Sequence, residues 1–366
     1  MNILVTGCDG FIGKNLIAHL KNSNIYKIIK LKRKYLPNQL NKKILSADII
    51  FHLAGVNRGV DRRYFFNNNY LLTKKICTIL KSSKKKIRII FSSSIHAGKS
   101  NFYGLSKQKS EKELLKLKKN KNISVIIYRL PNVFGKWSRP FYNSVIATYC
   151  YQLSRNKKIG IFSDQELKLL YIDDLIKDFL NIIKIKKIER VYRYIKNVYT
   201  IRLKKLATVI QSFNSDKNFF FQKNTNNLIK NLYSTYLSFV PTSSVHYNIE
   251  KFEDYRGKFV EFIKYQKFGQ ISFFTILPNQ LRGDHYHHTK TEKFLVINGR
   301  VKFNFINVIT KKKYSLIIDE KNEKVIVTQP GWAHNIKNIG KNIAKVIVWS
   351  NEIYNKKNPD TNIYKF

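Results

Sequence analysis

Cysteine is scarce in this chain. Cys8, Cys77 and Cys150 are the only three among 366 residues, and all lie in the first half. Widely spaced single cysteines provide neither a disulfide framework nor the paired thiolates of a zinc knuckle, and they are typical of reduced thiols. No apolar run approaches the roughly 20 residues that span a bilayer. The first residues already have the pattern of a strand, which leaves no room for a signal peptide. We therefore expect a cytoplasmic protein without membrane contact.

Acidic residues are also few. The 23 Asp and Glu are outnumbered by 68 Lys and Arg, which gives a formal net charge of +45. A surface of this charge attracts phosphate, and nucleic-acid binding is one interpretation. The lysines are scattered over the whole chain, however, and no arm or stripe collects them as a nucleic-acid footprint does. The composition favours an anionic small substrate and predicts no nucleic-acid partner.

The length and the periodicity predict two domains. A chain of 366 residues with 43% hydrophobic residues exceeds the usual single domain and can bury two cores. Helical and strand patterns alternate up to about residue 240, and short strand-like runs follow a linker at residues 241–244. We place a Rossmann-type, doubly wound α/β domain at 1–243 and an all-β domain at 244–366.

A glycine-rich turn opens the first domain. Gly7, Gly10 and Gly13 follow the apolar run 3–6 and precede a helical pattern at 14–20. In dinucleotide-binding folds the first glycine permits a tight turn, the second lets the backbone approach a pyrophosphate, and the third lets the helix pack on the strand. The helix N-terminus then faces the phosphates. This order of elements predicts a dinucleotide site.

The end of the second predicted strand indicates which dinucleotide. A site for NADH usually has an acid there, which holds the ribose 2′-hydroxyl. This chain has Lys32, Arg33 and Lys34 instead. Cations suit a 2′-phosphate, so the sequence favours NADPH, with Arg33 as a cofactor contact. The alternative is that these cations belong to the general excess of lysine.

Tyr103 and Lys107 stand four residues apart at the start of a long charged helix, after a strand that ends in Ser94. Residues with this spacing share one helix face. An ammonium beside a phenol lowers the pKa of the phenol, which makes Tyr103 a proton donor usable near neutrality. Ser94 can hydrogen-bond the same substrate carbonyl. The arrangement predicts a catalytic acid site.

Residues 1 to about 240 resemble an extended short-chain dehydrogenase/reductase. The matching pieces are Gly7, Gly10, Gly13, residues 52–55, Asn69, Ser94, Tyr103, Lys107, residues 129–135 and residues 171–174. The resemblance implies that Ser94, Tyr103 and Lys107 catalyse hydride transfer at a sugar carbon. It implies further cofactor contacts from Phe11, Ile12, Leu53, Ala54, Gly55, Tyr103 and Lys107. It also implies that the segment from Asn132 binds a nucleotide sugar, through Asn132, Lys136, Arg139 and Asn143. Residues 136–148 mix aromatic, cationic and amide groups that suit a uracil and a diphosphate, although an ordinary packed loop has the same composition.

A histidine-rich stretch marks the second domain. His285 and His287 share a face if they lie on a strand, Glu292 follows five residues later, and His334 comes from a distant run. Two or three imidazoles with one carboxylate are ligands that a divalent metal such as zinc accepts while keeping a position open. The alternative is a polar loop that happens to be rich in histidine. We predict a zinc site made of these four residues.

Short alternating or apolar runs recur between residues 258 and 349 and predict a small antiparallel barrel or jelly roll. The domain resembles the cupins. The first cupin motif is matched by His285, His287, Glu292 and Gly299, and the second by Gly331, His334 and Asn338. Two positions depart from the family pattern, because Asn279 replaces a glycine and Gln329 replaces a proline. These departures concern the turns of the barrel and not the metal ligands.

Over nearly its full length the chain resembles the bifunctional capsular polysaccharide synthesis enzyme F family, in the UDP-N-acetyl-L-fucosamine pathway. This resemblance implies a homodimer that acts on a UDP-linked 4-keto-6-deoxy-N-acetylhexosamine. The cupin would epimerise C3 through an enediolate stabilised by the metal, with His288, Tyr286 and Lys290 as candidate bases. The reductase would then reduce C4 with NADPH, giving UDP-2-acetamido-2,6-dideoxy-L-talose.

Two other functions are open to this combination of domains. One is a nucleotide-sugar 4-epimerase or dehydratase with a structural cupin, but Ser94 is followed by Ile95 and His96, where a dehydratase is expected to have acids. The other is a non-enzymatic protein that senses nucleotides. The presence of Ser94, Tyr103 and Lys107 argues against it.

Overall fold

The structure is a computed structural model that describes residues 1–32, 37–161, 163–215, 225–265, 268–357 and 359–366. These residues form two compact units, 1–215 with 225–242, and 243–366. Arg33, the predicted contact of a 2′-phosphate, lies outside the described residues. Among the described helices, none is both long and apolar enough to cross a membrane.

The first unit alternates strands and helices. Its strands are β1 Asn2–Thr6, β2 Lys27–Leu31, β3 Ile49–His52, β4 Ile87–Ser94, β5 Ile123–Leu130, β6 Asn132–Phe134, β7 Glu166–Tyr171, β8 Tyr192–Arg193 and β9 Val198–Arg202. Its α-helices are α1 Phe11–Asn22, α2 Pro37–Ser46, α3 Arg62–Phe65, α4 Leu72–Lys81, α5 Phe102–Lys116, α6 Val145–Leu153, α7 Ile172–Lys184, α8 Leu203–Ser215 and α9 Asn227–Leu237. A π-helical turn, Phe66–Leu71, joins α3 to α4.

Six of these strands form a parallel sheet in the order β2-β1-β3-β4-β5-β8. Its inner strands are apolar runs, because helices cover both of their faces. One face packs against α1 and α7, and the other packs against α2, α4 and α5. A separate three-stranded sheet has the order β6-β7-β9. The predicted doubly wound α/β fold is confirmed.

The second unit consists of antiparallel strands. They are β10 Lys251–Asp254, β11 Gly257–Tyr265, β12 Gly269–Ile276, β13 Leu281–Tyr286, β14 Glu292–Asn298, β15 Arg300–Asn307, β16 Lys313–Asp319, β17 Val325–Val327, β18 Trp332–Asn338, β19 Ala344–Ser350 and β20 Asn362–Ile363. One sheet has the order β10-β11-β12-β19-β14-β17, and the other β16-β15-β18-β13-β20. Phe274 and Phe294 of the first sheet share a core with Phe303 and Ile336 of the second. This double-sheet architecture confirms the predicted cupin-type domain.

The apolar runs predicted most of these strands but not β10, β13, β18 or β20. β10 is largely charged, β13 and β18 have polar or charged residues at successive positions, and β20 has only two residues, so they lack the alternation that marks a half-buried strand. Asn279, which replaces a cupin glycine, has a φ of 64°. Asparagine tolerates this left-handed conformation better than most residues, so the turn keeps the glycine-like geometry.

Candidate functional site

A cleft of about 1320 Å³ lies at the carboxyl ends of the strands of the parallel sheet. Ligands of open α/β sheets bind at this edge. Most of the residues that the sequence predicted for the reductase site line it, namely Gly7, Gly10, Phe11, Ile12, Gly13, Leu53, Gly55, Ser94, Tyr103, Lys107, Asn132, Arg139 and Asn143. The carboxyl ends of β1, β3, β4 and β5, which are neighbours in the sheet, therefore bring these residues together.

Two glycines of the loop, Gly7 and Gly13, have no room for a side chain. Gly7 has a φ of +65°, and a Cβ on it would lie 2.7 Å from the Ala54 backbone nitrogen. A Cβ on Gly13 would lie 2.2 Å from the Gly7 carbonyl oxygen. Gly10 is the N-cap of α1, whose first turn contains no acidic residue. Exposed amides and the helix dipole at this end suit a pyrophosphate, so the loop fits a dinucleotide. Ala54, a predicted cofactor contact, is not among the residues that line the cleft. Its backbone packs against Gly7, and its amide donates to Thr6 Oγ1 at 3.0 Å.

Ser94, Tyr103 and Lys107 come together in the cleft. Lys107 is 4% exposed, and its Nζ donates to the Ser92 carbonyl oxygen at 2.8 Å. Burial lowers the pKa of Lys107 to about 8. Burial raises the pKa of Tyr103, and a hydrogen bond with Ser94 lowers it only in part. The expectation that Lys107 would bring the pKa of Tyr103 down is therefore wrong for this structure, in which desolvation dominates.

Lys136 is the predicted substrate contact that the structure does not bring to the cleft. Its Nζ lies 2.5 Å from Asp173 Oδ1, which also lies 3.0 Å from His19 Nε2. Residues next to it do line the cleft, and Arg139 stacks its guanidinium 5.2 Å from the Tyr142 ring centroid. The Lys136 ammonium, which the sequence predicted as a substrate contact, is therefore paired with Asp173 in this structure.

Two buried side chains to which the sequence gave no role hold the helix α5, which carries Tyr103 and Lys107. Asn69, in the π-helical turn, accepts from the Val56 amide at 2.7 Å and donates to Ser106 Oγ at 2.9 Å. It thereby ties the loop after β3 to α5. Glu111, one helical turn after Lys107, accepts two hydrogen bonds from Arg129. An acid four residues after Lys107, on the same predicted helix face, was the sequence signal that could have found Glu111.

The four predicted metal ligands cluster in the second unit. The ligand atoms of His285, His287, Glu292 and His334 all lie within 4.8 Å of one another. His285 on β13 is the register partner of His334 on β18. His287, Glu292 and His334 are 2%, 8% and 4% exposed. The long-range pairing of two polar strands therefore assembles a set that their spacing alone could only suggest.

Two nitrogens in this cluster lack hydrogen bonds. His287 Nε2 and His334 Nε2 each lie 3.3 Å from Glu292 Oε2. Neither makes a hydrogen bond of acceptable geometry within the described residues, although both are buried. Burial lowers the pKa of His285 to about 4. Burial alone would raise the pKa of Glu292, but its neighbours hold that pKa well below the usual range. Neutral imidazoles and an ionised carboxylate are the forms that bind metal, so the cluster fits a divalent cation.

Among the candidate bases, Lys290 contacts the cluster. It is 8% exposed, and its Nζ lies 3.1 Å from Glu292 Oε1. Tyr286 and His288 instead pack edge to face, with ring centroids 5.3 Å apart. Their side chains alternate with those of His285 and His287 along the chain. Lys290 is thus the candidate base that the described contacts bring to the metal ligands.

A dinucleotide cleft with a serine, a tyrosine and a lysine, followed by a double-sheet domain with a histidine–carboxylate cluster, defines a short-chain dehydrogenase/reductase joined to a cupin. The chain belongs to the NAD dependent epimerase/dehydratase family, whose model matches residues 3–193. Residues 252–362 match the polysaccharide biosynthesis C-terminal domain.

Individual relatives extend over both domains. The chain is 41% identical to the UDP-2-acetamido-2,6-beta-L-arabino-hexul-4-ose reductase of Pseudomonas aeruginosa, over 99% of this chain and 98% of the relative. It is similar to the crystal structure of the capsular polysaccharide assembling protein CapF from Staphylococcus aureus, with 36% identity, a TM-score of 0.92 and 100% of both chains covered. These similarities confirm the family predicted from the motifs.

A more distant likeness covers part of the chain. The UDP-glucuronic acid 4-epimerase of Bacillus cereus is 20% identical, with a TM-score of 0.56 over 65% of this chain and 99% of its own. At this level of identity the two proteins share the fold alone.

Proposed function

We propose that this enzyme converts a UDP-linked 4-keto-6-deoxy-N-acetylhexosamine in two steps. The cupin unit inverts C3, and the reductase unit reduces C4 with NADPH, giving UDP-2-acetamido-2,6-dideoxy-L-talose. One observation supports the reduction above all: Ser94, Tyr103 and Lys107 line the same cleft as the glycine loop. The name of the Pseudomonas relative, a reductase of a UDP-linked 4-ulose, supports this substrate class.

The residues of the cleft suit the reduction of a ketone. NADPH, when bound, supplies the hydride that C4 accepts. Tyr103, like an ordinary tyrosine, carries its proton at neutral pH, and burial raises its pKa further, so the phenol can donate to the carbonyl oxygen. Ser94 hydrogen-bonds with Tyr103 and orients the same oxygen. Lys107, held by the Ser92 carbonyl, places a cation beneath the site while its pKa stays near 8.

The cluster in the second unit suits the epimerisation. The C3 proton is acidic because C3 adjoins the C4 ketone. A divalent cation held by His285, His287, Glu292 and His334 would act as a Lewis acid toward the developing enediolate. Lys290, buried against Glu292, is the side chain we assign to proton transfer at C3. Inversion requires that a different proton reach the opposite face of the sugar ring, and we assign that proton to solvent, while Lys290 releases the proton it accepted.

The substrate-binding segment suits a nucleoside diphosphate. Asn132, Arg139 and Asn143 line the cleft together with Trp137 and Phe141, which are 52% and 57% exposed. Exposed aromatic rings can stack on a uracil, and a guanidinium pairs with phosphate oxygens. The net charge of +45 attracts the diphosphate from a distance.

Three finer points belong to the same proposal. We assign NADPH over NADH because Lys32, Arg33 and Lys34 follow β2 in the sequence, where a site for NADH usually has an acid. We assign zinc to the cluster because imidazole and carboxylate suit it. The family resemblance leads us to expect a homodimer. Kinetics with each nicotinamide cofactor, metal analysis of protein purified without added metal, and sedimentation equilibrium test the three points separately.

Product analysis tests the whole proposal. The 4-keto sugar is incubated with the enzyme in deuterated solvent, with and without NADPH, and the products are identified by NMR and mass spectrometry. We expect deuterium at C3 without NADPH, and a 6-deoxy-talose product with stoichiometric NADPH oxidation. A 4-epimerase would not consume NADPH stoichiometrically. Absence of both the exchange and the oxidation would exclude the proposed enzyme and favour a nucleotide sensor.

A further inference from the structure

The last residues of the chain return to the metal cluster. We call residues 360–364 the C-terminal strap. Within it, β20 pairs with β13, so that Ile363 lies opposite His285 and Asn362 lies opposite Tyr286. The Tyr364 amide also donates to the Asp284 carbonyl oxygen at 2.8 Å. The strap therefore pairs along the edge of β13, the strand that carries His285.

Asp360 binds the loop that follows this strand. Its carboxylate accepts from three consecutive backbone amides, those of His288 at 2.8 Å, Thr289 at 2.7 Å and Lys290 at 2.8 Å. The hydroxyl of Thr289 donates to the same carboxylate at 3.1 Å. A single side chain thus accepts from three of the four backbone amides between His287 and Glu292, and the fourth, that of Thr291, donates to Asn351 Oδ1 at 2.9 Å.

The backbone carbonyl of Asp360 makes a second kind of contact. It lies within hydrogen-bond distance of His287 Nδ1. A carbonyl oxygen can only accept, so Nδ1 carries the proton and Nε2 keeps its lone pair. This Nε2 is the nitrogen that lies 3.3 Å from Glu292 Oε2. A partner on the far ring nitrogen commonly sets the tautomer and orientation of a metal-bound histidine.

We propose that Asp360 is a positioning residue for the cupin centre: its side chain and carbonyl hold the loop 287–290 and the His287 ring in the geometry that binds the cation. The proposal rests on the proposed metal site. It assigns a role to a residue 73 positions from His287 in sequence, which is neither a ligand nor a candidate base.

The test compares Asp360→Ala with Asp360→Asn in the full chain. Zinc affinity is measured by competition with a chromogenic chelator, and we expect Asp360→Ala to bind zinc about 10–100-fold more weakly. Asp360→Asn keeps the size of the side chain and one carbonyl acceptor, so its loss should be smaller. Asp319→Ala is the matched control, because Asp319 also accepts a backbone amide in a turn of this unit, that of Lys321 at 3.0 Å. It should bind zinc like the unaltered protein.

Hydrogen–deuterium exchange of the zinc-free protein provides a readout that does not depend on the metal. We expect the amides of residues 288–290 to exchange faster in Asp360→Ala than in Asp319→Ala. NADPH-dependent reduction of an already epimerised substrate checks that the first unit still folds. Unchanged exchange at 288–290, or equal zinc affinities of Asp360→Ala and the unaltered protein, would overturn the positioning role while leaving the proposed function intact. If the unaltered protein bound no divalent cation, the proposed metal site itself would fail, and the positioning role with it.

Discussion

Arg129 donates two hydrogen bonds to the carboxylate of Glu111, from Nε to Oε1 at 3.0 Å and from Nη2 to Oε2 at 2.6 Å. Ser93 donates to the same carboxylate, as does the Tyr192 hydroxyl at 3.2 Å. Glu111 is 2% exposed and lies on α5, one turn after Lys107. The ends of β4 and β5 are thereby joined to the helix that carries Lys107 and Tyr103.

Glu111→Gln should destabilise the first unit. The substitution removes the charge from hydrogen bonds that are worth about 1.5–3 kcal/mol each when one partner is ionised. We expect a loss of that order in the free energy of unfolding, measured with urea. Glu113→Gln on the same helix is the control, because Glu113 is also buried, at 6% exposed, but among the described residues pairs only with Lys116, whose side chain is 60% exposed. An ion pair with a largely exposed partner contributes little, so equal losses in the two variants would contradict the structural role of Glu111.

The reductase reaction should lose activity above about pH 8. Burial lowers the pKa of Lys107 to about 8, and the Glu111 carboxylate raises it against that effect. Below this pH the ammonium is charged, and above it the charge is lost, so kcat/KM for the reduction should fall as pH rises through about 8. In Glu111→Gln the raising influence is absent, and the fall should begin at lower pH. Glu113→Gln should leave the profile in place. A profile unchanged by Glu111→Gln would refute the coupling.

Tyr103→Phe should separate the two reactions. It removes the hydroxyl that hydrogen-bonds with Ser94 and that we propose as the donor to the carbonyl oxygen. General acid catalysis of this kind contributes about 10²–10⁴-fold, so kcat for NADPH oxidation should fall by that factor. Deuterium exchange at C3 should continue at the unaltered rate, because the metal cluster is intact. Retention of full reductase activity would show that Tyr103 is not the proton donor.

Two glycine substitutions should affect different properties. Gly13→Ala brings a Cβ to 2.2 Å from the Gly7 carbonyl oxygen, which is backbone and cannot turn aside. We expect it to cost about 1–3 kcal/mol in stability. In Gly10→Ala the nearest atom is the same oxygen at 3.1 Å. This variant should stay within about 1 kcal/mol of the unaltered stability but bind NADPH more weakly, because the methyl group stands where the pyrophosphate approaches.

Urea unfolding and fluorescence titration with NADPH measure the two effects of these glycine substitutions. If Gly10→Ala bound the cofactor normally, the glycine loop would not be its phosphate site.

His285→Ala should remove bound metal. The substitution takes one ligand from the set of four, and zinc content after purification without added metal should drop together with C3 exchange. His288→Ala is the matched control, since His288 lies outside the set and is exposed. Elemental analysis of both variants gives the answer. Absence of metal from the unaltered protein, or equal content in all three proteins, would rule out the assigned zinc site.

Much of the reductase site was predictable because it depends on short stretches of chain. The turn that needs Gly7 in a left-handed conformation, and the helix spacing that aligns Tyr103 with Lys107, are local properties of the backbone. The carboxyl ends of parallel strands then meet at one edge of the sheet. Spacing could not predict that Lys136 is paired with Asp173, or that burial would raise the pKa of Tyr103, because both depend on neighbours brought in by folding.

The predicted metal site likewise has one part that the sequence predicted and one part that it did not. The sequence by itself determined the ligand types and the pair His285 and His287, through the two-residue period of a strand. Only the tertiary structure decided that β13 and β18 are neighbours, that His334 completes the set and that Asp360 holds the loop. Those strands have no apolar alternation, and their partners lie tens of residues away. Hydrogen bonds between distant polar segments produce no regular pattern in the sequence, whereas local turns and helices do.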